Sequence, residues 1–437
     1  MKLRIALAAA PAALLAAGTA SAQTQIDWWF AHAGRLGEIV QEMVANYNGG
    51  QDQCSVTATY KGTYPETLTA GIAAFRAGEQ PEILQVFEVG TATMMAAEGA
   101  IYPVYQLMED VGADFDPDAY LSAVTGYYTT TDGRMLSLPF NSSTPVLWIN
   151  DDAFAAAGLD PANPPETWPE VFEAARAIAA TDAYDCGLTT AWQSWIHLEN
   201  LSARHDVPFA TLDNGFGGLA TEAVFNGPLQ VRHIDALGEL VQEGVFYYGG
   251  RTNEAMARFR AGECGMATES SAGYAGIKAD AQFPFTVAPL PYWSDVEGAP
   301  VNTIIGGASL WVMAGHSDEE YTCVADFLNY LSQPDVQATW HQTTGYLPIT
   351  SAAYDLTGEQ GFYDENPGTD IAVQQMTAGT PTANSKGLRL GNFVQIRGVI
   401  DEELETVWAG ESTAQEALDR AVERSNALLR AFERANP

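Results

Sequence analysis

Basic residues are scarce in this 437-residue chain, which has 20 Lys and Arg against 55 Asp and Glu and a formal net charge of −35. An acidic protein repels polyphosphates and anionic lipids, so this balance argues against nucleic acid as a partner and against a broad membrane-binding surface. Beyond the first 22 residues, no apolar run is long enough to cross a bilayer. The charge itself requires no explanation beyond high solubility.

The sequence also lacks the short motifs that mark common enzyme active sites. It has no GxSxG elbow, no GxxxxGKS or GxxxxGKT loop and no GxGxxG after a strand. The six histidines are scattered, without HExxH or CxxC pairs, so we expect no metal, no cofactor and no catalytic residue. A secreted hydrolase of phosphate esters, the enzyme alternative, would need a metal cluster or an activated nucleophile.

The first 22 residues have the layout of a secretory signal peptide. Lys2 and Arg4 flank the start of an apolar run from Ile5 to Ala17 that is too short to span a bilayer. Ala20-Ser21-Ala22 provides the small residues that signal peptidase requires, and no cysteine follows that could carry a lipid. We therefore expect cleavage after residue 22 and export of the remainder.

Four cysteines in an exported chain favour disulfide bonds, and Cys54, Cys186, Cys264 and Cys323 allow three pairings. Cys186 and Cys264 each precede an apolar, strand-like run. If those strands are neighbours in one sheet, the two sulfurs lie at the same end, which favours Cys186–Cys264 with Cys54–Cys323 as its complement. The other pairings, and buried free thiols, remain open.

The order of apolar patterns predicts an α/β protein of about two domains. A hydrophobic fraction of 47% supports a large core. Residues 23–437 are more than a single hydrophobic core usually contains. Alternation of strands and helices indicates sheets covered by helices. We expect strands over 26–30, 55–60, 83–87, 146–150, 186–191 and 264–268. We expect helices through 36–47, 68–75 and 94–95, from Thr167, and over 229–245, 253–260, 401–408 and 413–434.

An internal similarity suggests that the two domains share an architecture. AAFRAGEQPEILQV at 73–86 is similar to ARFRAGECGMATES at 257–270. Each segment is interpreted as a helix end, a glycine turn and a strand. The shared Phe would pack its helix onto the sheet, and the shared Gly would take the left-handed cap position.

One segment of this acidic chain is free of acidic residues. Residues 371–400 contain no Asp or Glu but include Lys386, Arg389 and Arg397. Such a segment is what an anion site requires, because local cations must outweigh the field of the whole protein. The alternative is a loop whose basic residues pair with surface acids.

Several long segments resemble one known family, the periplasmic glycerol-3-phosphate-binding proteins of ABC importers. This family belongs to the extracellular solute-binding class that includes the maltodextrin binders. The resemblance covers essentially all of residues 23–437. The strings that carry it are TYKGTYPETLTAGIAAFRAG, ILQVFEVGTATMMA, LPFNSSTPVLWIN, AWQSWIHLENLSA, IIGGASLWVM, WHQTTGYLPIT and KGLRLGNFVQIRGVIDEELE.

The resemblance implies an α/β, two-lobed periplasmic binding protein fold with a hinge and a ligand cleft between the lobes. The N-terminal lobe would comprise residues 23–140 and about 306–348, and the C-terminal lobe residues 141–305 and about 349–437. The implied function is the periplasmic substrate-binding component of an ABC importer. It would capture glycerol-3-phosphate or glycerophosphodiesters such as glycerophosphocholine and deliver them to the permease, acting as a monomer.

Matching strings imply nine ligand contacts, namely Tyr64, Glu88, Ser143, Trp192, Trp195, Ser270, Gly307, Tyr346 and Arg397. Four of these are assigned to the phosphoryl oxygens: Tyr64, Ser143, the Gly307 N–H and Arg397, whose guanidinium suits a phosphate. Glu88 would accept from the glycerol hydroxyls, helped by Ser270 and Tyr346. The two tryptophans would cover the carbon skeleton.

The chain departs from the family pattern after its first strand. The family usually reads Trp-His there, whereas Trp29 is followed by Phe30, Ala31 and His32. The change puts any ligand contact of the histidine in doubt and could admit a larger head group. A binder of a neutral oligosaccharide in the same fold is the main alternative, and Arg397 argues against it.

Overall fold

The structure, a computed structural model, describes residues 23–97, 99–130 and 132–436. The expected signal peptide lies outside the described residues. Eleven strands are present in the described part of the chain. They are β1 (Thr24–Phe30), β2 (Cys54–Tyr60), β3 (Ile83–Phe87), β4 (Ile101–Tyr102), β5 (Leu138–Ser143), β6 (Pro145–Asn150), β7 (Cys186–Thr190), β8 (Phe246–Tyr247), β9 (Cys264–Ser270), β10 (Phe285–Pro289) and β11 (Gly306–Met313).

The α-helices of the same residues flank these strands. They are α1 (Gly34–Gly50), α2 (Tyr64–Ala77), α3 (Thr91–Ala96), α4 (Val104–Val111), α5 (Ser122–Tyr128), α6 (Asp151–Ala156), α7 (Trp168–Ala179), α8 (Leu201–Arg204), α9 (Thr211–Asn214), α10 (Pro228–Gln242), α11 (Met256–Arg260), α12 (Tyr274–Asp280), α13 (Asp318–Leu331), α14 (Pro334–Thr344), α15 (Ser351–Glu359), α16 (Phe362–Glu365), α17 (Ile371–Met376), α18 (Phe393–Trp408) and α19 (Ala414–Ala435). No helix among the described residues is long and apolar enough to span a membrane.

Two separate sheets organise the molecule, and the two-lobed α/β fold expected from the sequence is confirmed. The first sheet has the order β2-β1-β3-β11-β4, with β5 also paired to β11. The second has the order β10-β6-β9-β7-β8. The chain passes from the first sheet to the second between β5 and β6 and returns between β10 and β11. The exact lobe boundaries given above stay a prediction.

Helix ends follow the local sequence signals. Thr63, Thr167, Ser317 and Thr413 each form a capping box with a glutamate three residues later. The long amphipathic α19 packs against α18 through its apolar stripe, as the spacing predicts. The expected helix over 253–260 was wrong at its start, because the helix begins only at Met256.

One difference from the sequence prediction bears directly on the site. The helix expected over 401–408 is the second half of α18, which begins at Phe393 and therefore includes Arg397. Asn392, at a φ of 53°, precedes it without a side-chain cap. This helix start therefore lacks the extended, side-chain-capped geometry found at Thr167 and Thr413.

Both disulfides follow the favoured pairing, with Cys186 bonded to Cys264 and Cys54 bonded to Cys323. Cys186 and Cys264 are register partners at the start of the parallel strands β7 and β9. The other pair joins β2 to α13 across 269 residues of sequence. One disulfide thus joins two strands of the second sheet, the other joins the first sheet to a helix, and both fix elements that are distant in sequence.

The two similar segments do adopt the same local structure. Gly78 after α2 and Gly262 after α11 have φ angles of 73° and 78°, and a strand follows each. Phe259 is completely buried, as expected, whereas Phe75 is only partly buried. The two segments therefore share the glycine cap more closely than the packing of the phenylalanine, which is less complete for Phe75 than for Phe259.

Candidate functional site

A cavity of about 470 Å³ opens between the edges of the two sheets. Its lining contains all nine residues singled out in the sequence: Tyr64, Glu88, Ser143, Trp192, Trp195, Ser270, Gly307, Tyr346 and Arg397. These residues are spread over more than 300 positions, so their meeting at one place is a property of the fold. Their roles toward a ligand remain predictions.

The first sheet supplies Glu88, Ser143 and Gly307 because three of its strands are neighbours. Glu88 follows β3 directly, and β11 pairs with β3 on one side and β5 on the other. Gly307 has a φ of 113°, and a Cβ there would collide with the Asn141 carbonyl. Glycine is thus required at this position, and its N–H donates to Glu88 Oε2 at 3.2 Å.

Two tyrosines and a histidine form a connected group at one wall. The Tyr64 hydroxyl accepts from Asn141 Nδ2 at 2.8 Å, and its ring stacks on Phe87. His32 lies behind the wall, with Nε2 3.0 Å from the Tyr346 hydroxyl, and it does not line the cavity. Burial lowers the pKa of His32 to about 3. His32 therefore supports the tyrosines as a neutral ring, while Phe30 is buried in the core.

An unusual stretch of backbone presents the tryptophans. Trp192 follows β7 with a φ of 47°, a left-handed conformation that a bulky residue seldom adopts. Residues Trp195–Asn200 then form a π-helix, a feature often found at functional sites. The indole N–H of Trp195 donates to the Ile305 carbonyl at 3.4 Å. The same π-helix also presents Glu199, which the sequence reading did not identify.

Arg397 is already ion-paired with two carboxylates. Its Nε and Nη2 donate to the two oxygens of Glu199, both at 2.7 Å, in a bidentate arrangement. Nη2 also donates to Glu88 Oε1 at 2.6 Å. Glu88 also accepts from the Gly307 N–H. The Glu88 carboxylate therefore occupies two of the donors that are predicted to bind the phosphoryl oxygens, Arg397 and Gly307.

The electrostatics of this triad follow from burial and pairing. Burial alone would lower the pKa of Arg397, but the carboxylates of Glu199 and Glu88 outweigh it and raise that pKa. Burial raises the pKa of Glu88 above its ordinary value despite the neighbouring Arg397, and the charge of Glu199 adds to the increase. The guanidinium therefore stays charged, whereas burial favours the protonated form of Glu88.

The three basic residues of the acid-free segment do not meet at one site, and Lys386 pairs with an acid as in the alternative interpretation. Lys386 Nζ lies 3.4 Å from Asp213 Oδ2, and Arg389 Nη2 donates to the carbonyls of Gly126, Tyr127 and Thr129. Only Arg397 of the three lines the cavity. A segment without acidic residues can still have acidic neighbours in the folded protein, because Glu88 and Glu199 contact Arg397 from distant parts of the sequence.

Glu269 is a second carboxyl group of the cavity that the sequence reading passed over. It ends β9 beside Ser270, and its Oε1 accepts the Ser270 N–H at 2.7 Å. Burial raises the pKa of Glu269 to about 8, although the Ser270 N–H and the Trp192 side chain act in the opposite direction. Its place at a strand end next to a predicted contact was the available signal.

A separate group of ionisable residues lies at the far end of the first sheet. In the described part of the chain, Glu82, His316 and Glu320 have oxygen or nitrogen atoms close enough to hold a metal ion. However, His316 Nδ1 pairs with Glu82 at 2.8 Å, and Nε2 bonds to the Pro81 carbonyl at 3.2 Å. Both ring nitrogens are thus engaged within the protein.

A sequence profile described as bacterial extracellular solute-binding protein matches residues 42–369. The chain belongs to this family. It is 51% identical over 420 residues to the sn-glycerol-3-phosphate-binding periplasmic protein UgpB of Salmonella typhi, covering 96% of this chain and 95% of that protein. It is 50% identical over 434 residues to the Pectobacterium atrosepticum protein of the same name, covering 99% and 97%.

Solved structures of solute-binding proteins share the fold of this family member. UgpB from Mycobacterium tuberculosis in complex with glycerophosphocholine has a TM-score of 0.76 at 21% identity, covering 94% of this chain and 99% of that one. A cyclic α-maltosyl-1,6-maltose binding protein from Arthrobacter globiformis has a TM-score of 0.72 at 26% identity, covering 94% and 100%. Binders of different solutes therefore share this architecture, and the fold alone does not select the ligand.

Proposed function

We propose that this chain is the substrate-binding component of an ABC importer that captures glycerol-3-phosphate or a glycerophosphodiester in the periplasm and delivers it to the permease. The observation that carries the proposal is 51% identity along 96% of the chain to relatives named for glycerol-3-phosphate. The convergence of nine matched residues on one cavity supports it. We expect a monomer that binds no nucleic acid.

In the proposed mechanism, the anionic group of the ligand exchanges with Glu88. Glu88 contacts Arg397 Nη2 and the Gly307 N–H, so a phosphoryl oxygen can reach these donors only when this carboxylate moves. The displaced Glu88 would then accept from the glycerol hydroxyls. Glu199 keeps its two bonds to Arg397 and holds the guanidinium in place throughout the exchange.

The exchange also couples binding to the positions of the two lobes. Glu88 follows a strand of the first sheet, whereas Arg397 lies on α18, which packs on α10 beside the second sheet. A ligand that contacts both sides favours the closed arrangement over the open one. A micromolar dissociation constant corresponds to about 8 kcal/mol, which charge-assisted hydrogen bonds in a dry cleft can largely supply.

No chemical step belongs to this proposal. In the proposed role, the polar groups of the cavity bind and orient a ligand. A neutral oligosaccharide is the competing ligand class, because several sugar binders share the fold. Arg397 favours a phosphate ester, because its largely buried guanidinium already binds anionic carboxylates in the cavity.

Side-by-side calorimetry of the full protein tests the proposal. We expect glycerol-3-phosphate and glycerophosphocholine to bind with measurable affinity, and glycerol and maltose to release no comparable heat. Thermal unfolding should move to higher temperature only with the two esters. Tight binding of maltose would contradict the proposal and indicate a sugar-binding protein. Hydrolysis of an ester during the titration would instead indicate an enzyme.

A further inference from the structure

Glu269 is a buried carboxyl group in the cavity wall, and it is not among the proposed ligand contacts. Only 3% of its surface is exposed, yet it lines the cavity. Among the described residues no Lys, Arg or His forms an ion pair with it. The cation that contributes most to its electrostatics, Arg260, has its Nε 3.4 Å from Asp280 Oδ2. An unpaired carboxyl group facing a ligand cavity is a candidate for contact with a cation.

The surroundings of Glu269 suit an organic cation better than a metal ion. Trp192 and Trp195 line the same cavity as Glu269. Neither indole stacks on another aromatic ring or on a cation in the described part of the chain. Indole rings that line a cavity together with a carboxyl group can attract alkylammonium groups through cation–π contacts and charge.

The size of the cavity permits such a group in addition to the glycerol phosphate. At about 470 Å³ it lies within the range of pockets that enclose drug-sized ligands. Glu269 lies on β9 of the second sheet, and no hydrogen bond or ion pair among the described residues joins it to Arg397, Glu88 or Glu199. A phosphodiester could therefore place its phosphate near Arg397 and its head group near Glu269.

We propose that Glu269 is a specificity-determining residue whose carboxylate, together with Trp192 and Trp195, receives the ammonium head group of a glycerophosphodiester. This inference rests on the proposed function and narrows its ligand from esters in general to cationic diesters. A monoester dianion gains nothing from Glu269 and is repelled by its ionised form.

Protonation of Glu269 then links ligand choice to pH. The groups that face it are the Ser270 N–H, Trp192, Arg260 and the Tyr346 hydroxyl. With its pKa near 8, Glu269 is mainly neutral at pH 7 and mainly ionised at pH 9. An ammonium ligand favours the ionised form and releases a proton on binding, whereas a phosphate dianion favours the neutral form and takes one up.

Calorimetric titrations of the wild type at pH 7 and pH 9 test this directly. The probes are glycerol-3-phosphate, glycerophosphocholine and glycerophosphoglycerol, whose head group is uncharged. Because the second phosphate pKa is about 6, the charge of each probe stays nearly constant over this range. We expect the preference for glycerophosphocholine over glycerol-3-phosphate to rise about fivefold from pH 7 to pH 9. The preference over glycerophosphoglycerol should rise in the same direction.

The Glu269→Gln variant should bind with a preference that does not change between the two pH values. Glu263→Gln, which alters an exposed carboxyl group just before the same strand, is the matched control and should behave as the wild type. If Glu269→Gln folds poorly, titration of the wild type at pH 8 in buffers of different ionisation enthalpy still gives the proton count for each ligand.

The outcomes separate this inference from the proposed function. Equal pH dependence for all three probes, or the same dependence in Glu269→Gln, would overturn the role of Glu269 while leaving ester binding intact. Failure of every ester to bind would overturn both. Opposite proton exchange for glycerophosphocholine and glycerol-3-phosphate, abolished by Glu269→Gln, is the supporting result.

Discussion

The two sides of the cavity keep buried carboxyl groups in different ways. On one side Glu88 and Glu199 are held by Arg397, with contacts of 2.6 to 2.7 Å. On the other, Glu269 has no ionic partner among the described residues, and burial raises its pKa to about 8. A paired carboxylate needs its partner to remain stable, whereas an unpaired one needs a proton. The two sides should therefore respond differently to mutation.

Removal of the shared cation should have the largest effect. In Arg397→Ala, Glu88 and Glu199 would lose their partner in a buried site, and the ligand would lose its charged donor. We expect binding of glycerol-3-phosphate to become undetectable by calorimetry and the free energy of unfolding to fall by about 3–5 kcal/mol, with the protein still folded at 25 °C.

The matched control for Arg397→Ala comes from the same acid-free segment. Lys386→Ala removes a cation whose partner, Asp213, lies outside the cavity. It should leave affinity unchanged and alter the free energy of unfolding by less than about 1 kcal/mol. Near-normal affinity in Arg397→Ala, measured on protein with native circular dichroism, would contradict the assignment of the charged donor.

Replacement of the unpaired carboxyl group should have the next largest effect, and it should depend on pH. The folded-state pKa of Glu269 is raised, so the unfolded chain loses this proton at lower pH than the folded protein does. The wild type therefore loses stability as pH rises from about 4.5 to about 8. Glu269→Gln lacks this loss and should be more stable at pH 9 by about 2–3 kcal/mol.

Thermal or urea unfolding at pH 5 and pH 9 provides the measurement. The difference between Glu269→Gln and the wild type should be small at pH 5 and large at pH 9. A difference of the same size at both pH values would mean that the Gln side chain acts through packing. A larger difference at pH 5 would contradict a raised pKa.

Neutralisation of the exchanging carboxylate should have a smaller effect on binding than loss of Arg397. A glutamine at position 88 can still accept from a hydroxyl or from the Gly307 N–H, but it cannot form the ion pair. We expect Glu88→Gln to weaken binding of glycerol-3-phosphate by about tenfold. A loss greater than that of Arg397→Ala would mean that the hydroxyl end dominates, and tighter binding would mean that Glu88 acts only as a competitor.

Much of this comparison was accessible from the sequence, and the inaccessible part has a physical reason. Apolar runs and glycine turns placed the six predicted strands to within two residues, because burial patterns and caps are local properties, but they did not identify β5 or β11. The string similarities selected nine residues that all line one cavity, and their ligand contacts stay a prediction. Glu199 was not found, because its importance comes only from meeting Arg397 across 198 positions.

The charge around the site could not be predicted from the residues that neighbour Arg397 in the sequence. The segment 371–400 has no acids, yet Arg397 has two carboxylates as neighbours, and Lys386 and Arg389 face elsewhere. Burial of Glu269 likewise depends on how β9 packs. Local composition therefore located the important guanidinium but not the net charge around it, which is set by tertiary contacts.

A paired carboxylate outside the cavity provides the smallest and most discriminating comparison with Glu269. Burial of Glu82 opposes ionisation, but hydrogen bonds from His316 and the Asp27 N–H outweigh it and lower its pKa. Its contribution to stability is therefore present above the ordinary glutamate pKa and is lost as pH falls through the lowered value. This slope is opposite in sign to that of Glu269.

We expect Glu82→Gln to reduce the free energy of unfolding by about 1 kcal/mol at pH 7, because the ion pair with His316 is lost while the Asp27 N–H keeps an acceptor. The gap to the wild type should close as the pH is lowered below 4 and Glu82 becomes protonated. Urea unfolding from pH 7 to pH 3 measures it, and ligand affinity at pH 7 should not change because the pair lies at the far end of the first sheet. A difference in unfolding free energy that widens at low pH would show that the contacts with His316 and the Asp27 N–H do not stabilise the ionised form of Glu82. Glu82 and Glu269 would then differ only in how deeply they are buried.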